Sequence, residues 1–463
     1  MRLLPAGLTA AAIALMLSPA RGLPPDAEQA PDFIVTAAPV YKSLAELRGQ
    51  ERFPKGAQVL LVHAGKTELL VSGFAASADA NVSFDGQTVL FAGKRSAGDP
   101  WQIWELTVKD RTVRKVTATA TDAERPFYLP GGRMVWAQRT AAGFQLQSSD
   151  DGRPTAEFLN PTAGPGILPL TYTGTNAFPA DVLHDGRILF EAGFPLGAGA
   201  APEMYLVYAD GSGVESVRCD HGRARWGGTQ LASGDVVFTH GTSLARFTSS
   251  MAHEEQVQTP RGEYAGAIAE TASGAWLLSA RAETDARFAI KIWNPGATKM
   301  STVLATSGED LVEPVLVAPR TRPNRHPSGL HPWDYANLLA LDARVSRDGD
   351  LRGKPVSVRL EAQDAAGRAV AMGTAPVEQD GSFFVTVPVD RPIRFELLDF
   401  RGAVLRQEHG WFWARGGEQR ICVGCHAGPE RASENRVPDV LMRTTEPVDL
   451  TGTKAIAGAP RGN

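Results

Sequence analysis

The chain has 463 residues, a formal net charge of −4, 21% charged and 43% hydrophobic residues, and three cysteines. That length accommodates two or three domains. The charge balance, with no basic cluster interleaved with aromatics, excludes a nucleic-acid-binding design, and three cysteines are too few for a disulfide scaffold.

The first residues read as an export signal. Arg2 supplies the positive charge, Leu3 to Leu17 is apolar but too short to span a bilayer, and Ser18-Pro19-Ala20 is a small-x-small cleavage site. Residues 1–20 are expected to be removed, leaving a periplasmic or otherwise extracytoplasmic protein. No later stretch approaches about 18 consecutive apolar residues, so no transmembrane anchor is expected in the mature chain.

Residues 32–322 read as strands and turns. Ser83-Phe84-Asp85-Gly86 precedes Thr88-Val89-Leu90-Phe91, Leu129-Pro130-Gly131-Gly132 precedes Met134-Val135-Trp136, and His184-Asp185-Gly186 precedes Arg187-Ile188-Leu189-Phe190. Ala232-Ser233-Gly234 and Thr271-Ala272-Ser273-Gly274 stand in the same relation to Val236-Val237-Phe238 and Trp276-Leu277-Leu278. The turn glycines at 86, 132, 186, 234 and 274 are 40 to 54 residues apart, near the blade period of β-propellers. Each glycine supplies the positive φ of a tight hairpin. Further strands follow at Trp101–Trp104, Phe144–Leu146, Met204–Val207 and Ala289–Trp293. Five units are clear, and Gln58 to Val62 with Glu68 to Val71 supply strands to complete the ring. Six blades are favoured over seven, with an open array of β-sandwiches as the alternative. The first unit, with its Asp-Gly turn and its Arg114-Lys115-Val116-Thr117 ending, resembles the TolB-type propeller repeat.

This region shows no nucleophile with a base, no H-E-x-x-H and no phosphate loop. His184, His221 and His240 fall at turns or strand ends and are expected to be surface or hydrogen-bonded residues. Cys219 stands alone and reads as a small buried residue.

Residues 323–335 form a Pro-rich, basic linker that cannot pair as a central strand. Residues 336–410 then read as a small β-sandwich-like domain. Its apolar runs at Leu338–Val345, Val356–Leu360, Ala369–Gly373, Phe383–Val387 and Ile393–Leu398 are punctuated by Asp-Gly turns. The expected fold is all-β throughout.

Residues 411–463 carry the chemistry. Gly410-Trp411-Phe412-Trp413 reads as an aromatic strand and Gly416-Gly417 as a turn. Ile421-Cys422-Val423-Gly424-Cys425-His426 then holds a C-x-x-C-H, the pattern of c-type haem attachment. Two thiols at this spacing can form thioethers to one porphyrin, and the adjacent His426 imidazole can ligate its iron. The expectation is one covalent haem c. The same cysteines also fit a redox dithiol, a zinc site with scattered further ligands, or a structural disulfide. Candidates for a sixth iron ligand are His409, Met442 and the more distant His326 and His331; an open iron is the remaining option. Trp411 and Trp413 can cover a haem face, and Arg415, Arg420 and Arg431 can pair with its propionates.

With these residues in view, the C-terminal region resembles the middle domain of the hydrazine synthase alpha subunit. The resemblance rests on Gly373-Thr374-Ala375-Pro376-Val377-Glu378, Asp380-Gly381-Ser382-Phe383, Val387-Pro388, Leu397-Leu398-Asp399, Cys422 to His426, and Glu434-Asn435-Arg436-Val437-Pro438. It implies a propeller followed by a haem-bearing β domain, with Cys422 and Cys425 as attachment positions and His426 as the motif histidine. The family also places an iron-ligating tyrosine shortly after the motif, whereas Ala427-Gly428-Pro429-Glu430 contains none. That departure argues against hydrazine formation, and one haem motif without a second points to electron transfer with a redox partner protein, the propeller serving as scaffold or platform. The alternatives are a small-molecule haem enzyme and a non-haem propeller that binds partners and carries a Cys422–Cys425 disulfide.

Overall fold

The computed structural model describes residues 31–149, 166–193, 201–218, 222–282, 286–346, 349–425 and 435–452. The expected export signal, Cys219, His221, His426 to Glu430 and Arg431 lie outside the described residues.

Six four-stranded antiparallel sheets form a closed ring. The innermost strands of blades 1 to 5 are Ala76–Val82, Ala123–Tyr128, Ala177–Val182, Arg225–Gln230 and Glu263–Glu270. The closing blade takes its innermost strand, Asp310–Leu316, from the end of the propeller and its outer strands, Phe33–Ala38, Gln58–His63 and Lys66–Leu69, from the start. The favoured count of six therefore holds. All five turn glycines have positive φ, between 74° and 94°. The strands after them are buried between blades, as at Val89, Leu90, Phe91 and Leu189, Phe190.

A second repeat fastens the blades. In blade 1 the Thr117 hydroxyl accepts from the Ile103 N–H at 2.9 Å, and Gln102 Nε2 donates to the carbonyls of Thr119 and Thr121. In blade 2 Thr171 accepts from the Leu146 N–H at 2.8 Å, and Gln145 Nε2 donates to those of Thr173 and Thr175. A T-x-T-x-T run leaving one blade is thus bound to a glutamine in that blade's third strand, which satisfies buried backbone groups between sheets.

Every innermost strand has a register shift against its neighbour. Such bulges re-aim side chains, here towards the ring's axis. Two segments then cross the ring at its ends. Residues 39–57, an insertion within the closing blade, reach Phe144, Phe178 and Asn176 on blades 2 and 3. At the hairpin-turn end lies the linker. Arg320 N–H donates to the Phe84 carbonyl at 2.9 Å, its guanidinium lies 4.4 Å over the Phe84 ring, and Asn324 N–H donates to His184 O at 2.9 Å. His326 stacks on Tyr208 at 4.0 Å. Residues 318–334 form no strand, and the first sandwich strand begins at Tyr335.

The C-terminal part is a sandwich of two four-stranded sheets. One contains, in order, Gln419–Gly424, Tyr335–Asp342, Phe383–Pro388 and Val448–Asp449; the other contains Ala369–Pro376, Ser357–Gln363, Ile393–Leu398 and Val404–Gln407. Along Tyr335–Asp342, buried Ala336, Leu338 and Ala340 alternate with partly exposed neighbours, which sends every second side chain into the core. Gly410 to Trp413 is not a strand: Phe412 forms a single antiparallel bridge to Ile393, and the chain then turns Trp413 towards the propeller. The strand lies later, on the motif itself.

Candidate functional site

Gln419–Gly424 is an edge strand paired in parallel with Tyr335–Asp342, which sets Cys422 opposite Ala340. Alternation along the strand exposes Ile421 by 65% and turns Cys422 to the other face. Cys425, just past the strand, is buried in the sandwich core. Both cysteines are free thiols.

They line a cavity of about 680 Å³ between the sandwich and blades 3 and 4. Leu338, Phe395, Trp411 and Trp413 contribute to the sandwich side, and Phe190 and Tyr205 to the propeller side. Burial raises the Cys422 thiol above its ordinary value, and burial together with the Glu408 carboxylate raises that of Cys425 further. Both are therefore neutral thiols near pH 7. Cys425 Sγ lies 3.6 Å from Glu408 Oε1.

The two domains are fixed around this cavity by buried polar contacts. Trp413, 1% exposed, donates its indole N–H to Gly211 O at 3.0 Å. Arg415, wholly buried, donates to Asp390 Oδ1 at 2.8 Å and to the Tyr172 hydroxyl. Burial pushes the Tyr172 hydroxyl up to about 12, with the Arg415 guanidinium opposing it. Glu418 accepts from the N–H groups of Gly213 at 3.1 Å and Arg415 at 2.8 Å. Arg420 lines the cavity, donates to Val214 O and lies 5.2 Å from the Phe412 ring centre.

The sequence-derived candidates are thus only partly gathered. Cys422, Cys425, Trp411, Trp413 and Arg420 share the cavity wall. Arg415 is an interdomain clamp outside its lining, although its Nε and Nη2 have no hydrogen-bond partner. His409 is exposed between two lining residues, Glu408 and Gly410. Met442 is 75% exposed on the short helix Asp439–Arg443 and does not line the cavity. His326 and His331 are stacked on Tyr208 and Trp333. Sequence reasoning missed Glu408 and the whole propeller half of the wall; Phe190 and Tyr205 read only as blade residues, because alternation along a strand does not say what packs on its outer face.

Residues 341–427 match the family model of the hydrazine synthase alpha subunit middle domain. The curated hydrazine synthase subunit alpha of Kuenenia stuttgartiensis is 28% identical over 99 residues, a stretch covering 19% of this chain and 12% of that protein. The solved structure of Kuenenia stuttgartiensis hydrazine synthase superposes with a TM-score of 0.75 at 17% identity, over 89% of this chain and 71% of that one. TolB from Acinetobacter baumannii matches at a TM-score of 0.46 and 14% identity, over 64% of this chain and 68% of that one. The protein is therefore a six-bladed β-propeller joined to a β-sandwich in which residues 341–427 are similar to the hydrazine synthase alpha subunit middle domain.

Proposed function

We propose that this is an exported c-type haem protein that carries one haem, bound covalently through Cys422 and Cys425, and passes electrons to a partner protein. The observation that carries this reading is the placement of both free thiols of a C-x-x-C on the wall of one aromatic-lined cavity of about 680 Å³. Cofactor pockets fall in the range of about 300–1,000 Å³ and combine apolar walls with a few polar groups. The residues present fit a porphyrin: thiols for the two vinyl groups, Trp411 and Trp413 for its faces, and the Arg420 guanidinium for a carboxylate. His426 of the motif would supply an imidazole to the iron. When bound, the haem supplies one-electron chemistry. The chain's own part is to hold it, to exclude water with the aromatic wall, and to offer the propeller surface to a partner.

The export signal at residues 1–20 supports placing this chemistry outside the cytoplasm, where thioether attachment takes place. Among the described residues no helix is long and apolar enough to cross a membrane.

Electrophoresis with haem staining of protein matured with the attachment machinery tests the proposal. The wild-type band is expected to stain and Cys422→Ala to lose the stain. An unstained wild-type band would end this reading.

A second reading, a hydrazine-synthase-like haem enzyme acting on a small redox substrate, is favoured by one feature. Among the described residues that line the cavity there is no histidine or methionine, so neither of these side chains would hold the haem from that wall. A ferrous spectrum that shifts with carbon monoxide supports this enzyme; a six-coordinate spectrum indifferent to it supports plain electron transfer.

A further inference from the structure

Both ends of the propeller channel are crossed by chain, the linker at the hairpin-turn end and residues 39–57 at the other. The second segment is inserted deeply. Tyr41 packs on Phe288 of blade 5, and its N–H donates to Asp310 of the closing blade at 3.3 Å. Leu47 packs against Phe144 and Phe178, and its carbonyl accepts from Asn176 Nδ2 at 3.1 Å. Beside these anchors the segment places two charged side chains in the channel: Glu46, 2% exposed, and Arg52, 3% exposed.

These charges meet a ring of charge borne by the innermost strands and by the second strand of blade 3, Ile188–Gly193. Arg52 pairs with Asp79 of blade 1 and Glu313 of the closing blade. Glu46 pairs with Arg125 of blade 2 at 2.5 Å, and Arg125 also holds Glu191 of blade 3 at 3.2 Å. Asp79, Arg125 and Glu313 sit at the bulges with φ of 61°, 50° and 59°. Residues other than glycine rarely adopt this conformation, and its strain persists only where the surrounding structure holds it in place. At the corresponding bulges blades 4 and 5 present only Gly227 and Gly266. Glu124 of blade 2 adds a further carboxylate near Asp79 and Asp122. Five carboxylates, those of Glu46, Asp79, Glu124, Glu191 and Glu313, therefore face two guanidiniums. Glu46 Oε2, Glu313 Oε2 and Arg52 Nε have no hydrogen-bond partner at all.

We propose that residues 39–57 form a proton-latched plug, seated while the surplus carboxylates of the channel hold protons and loosened as those carboxylates ionise. Two cations cannot neutralise five anions largely withdrawn from water, Glu124 and Glu313 being the partly exposed members of the set, and an uncompensated buried charge is costly. A proton is the smallest remedy. The titration follows the geometry. Burial, aided by Asp79, pushes Glu124 up to about 8; burial, opposed by Arg52, pushes Glu313 up to about 7. Burial also raises Glu191 against the pull of Arg125, and raises the Tyr41 hydroxyl. A carboxyl whose value is raised in the closed state binds more protons there than when released, so closure weakens as pH rises from about 4.5 through about 8. The latch rests on the channel alone and is independent of the haem reading.

Hydrogen–deuterium exchange of the full chain, read at residues 39–57 and corrected for intrinsic rates, tests it. Opening is expected to rise about tenfold or more between pH 6 and pH 9. The linker peptide 318–327 at the other end should keep its protection and serves as the internal control. The double variant E124Q/E313Q, which cannot ionise at these positions, should lose most of the pH dependence. Equal protection at both pH values, loosening of both ends together, or a double variant that follows the wild type would each overturn the proposal. If the double variant does not fold, tryptic cleavage of the wild type at Lys55 decides: cutting must accelerate from pH 6 to pH 9 relative to cleavage in the linker, and an unchanged ratio overturns it.

Discussion

Trp413 reaches out of the sandwich to donate its indole N–H to the carbonyl of Gly211 in blade 3, at 3.0 Å. Gly211 has φ of 83°, and a Cβ there would lie 3.1 Å from Arg415 Cδ. The contact therefore depends on a glycine at this position. Trp413 also lines the cavity that holds the two cysteines, and because its walls come from both domains the cavity's shape belongs to neither alone.

This contact can be separated into its parts. Trp413→Phe removes the donor and is expected to cost about 1 kcal/mol, whereas Trp413→Ala also empties a buried aromatic site and should cost about 3–5 kcal/mol. Urea unfolding of both variants checks this. Equal costs would mean that the ring's packing contributes nothing to docking.

The ring of blades was legible because each turn needs positive φ, which puts a glycine at a regular interval, as at Gly86 and Gly186. The T-x-T-x-T runs at Thr117 and Thr171 carry the same period but reveal their purpose only once Gln102 and Gln145 are seen to hold them. The cysteines and their spacing were equally plain. What surrounds them was not: Tyr172 and Arg415 are 243 positions apart, and no local pattern encodes such a pairing. The motif strand escaped notice because it pairs in parallel with a strand some 80 residues earlier in sequence, while the apolar run before it, Trp411 to Trp413, makes one bridge and then serves as an anchor.

The thiols themselves offer a second expectation. In haem-free protein, burial keeps Cys422 and Cys425 protonated at pH 7 to 8, and the thiol form is a poor nucleophile. Iodoacetamide should therefore label both slowly in the native chain and rapidly in denaturant. Fast native labelling at neutral pH would contradict the buried setting.

The two glycines Gly186 and Gly234 make a controlled pair. Both have positive φ, 87° and 94°. A Cβ at Gly186 would meet Asn324 O at 2.1 Å, whereas one at Gly234 meets nothing within 4 Å. Gly234→Ala should cost only the backbone conformation, about 1–2 kcal/mol. Gly186→Ala should cost more and should expose the linker around Asn324 to protease. Equal melting temperatures and equal cleavage in the two variants would show that the linker does not bear on that turn.

Asp380 ties the chain after the motif back to the sandwich. Its carboxylate accepts from the Asp439 N–H at 2.8 Å, bonds Ser382 through both N–H and hydroxyl, and pairs with Arg436. Burial works to raise this carboxyl, but those hydrogen bonds and the guanidinium overcome it and hold the group well below the usual carboxylate range. A carboxylate depressed in the folded state stabilises above its unfolded value of about 3.9, and that contribution is lost as pH falls below it. Asp380→Asn should therefore lower stability by about 1–2 kcal/mol at pH 7, the low end for charge-assisted bonds because solvent reaches the site. Thermal melts of wild type and variant should draw together as pH is lowered from 5 towards 3. A gap that stays constant over that range would mean that the Asp380 charge does not hold the Asp439–Arg443 helix in place.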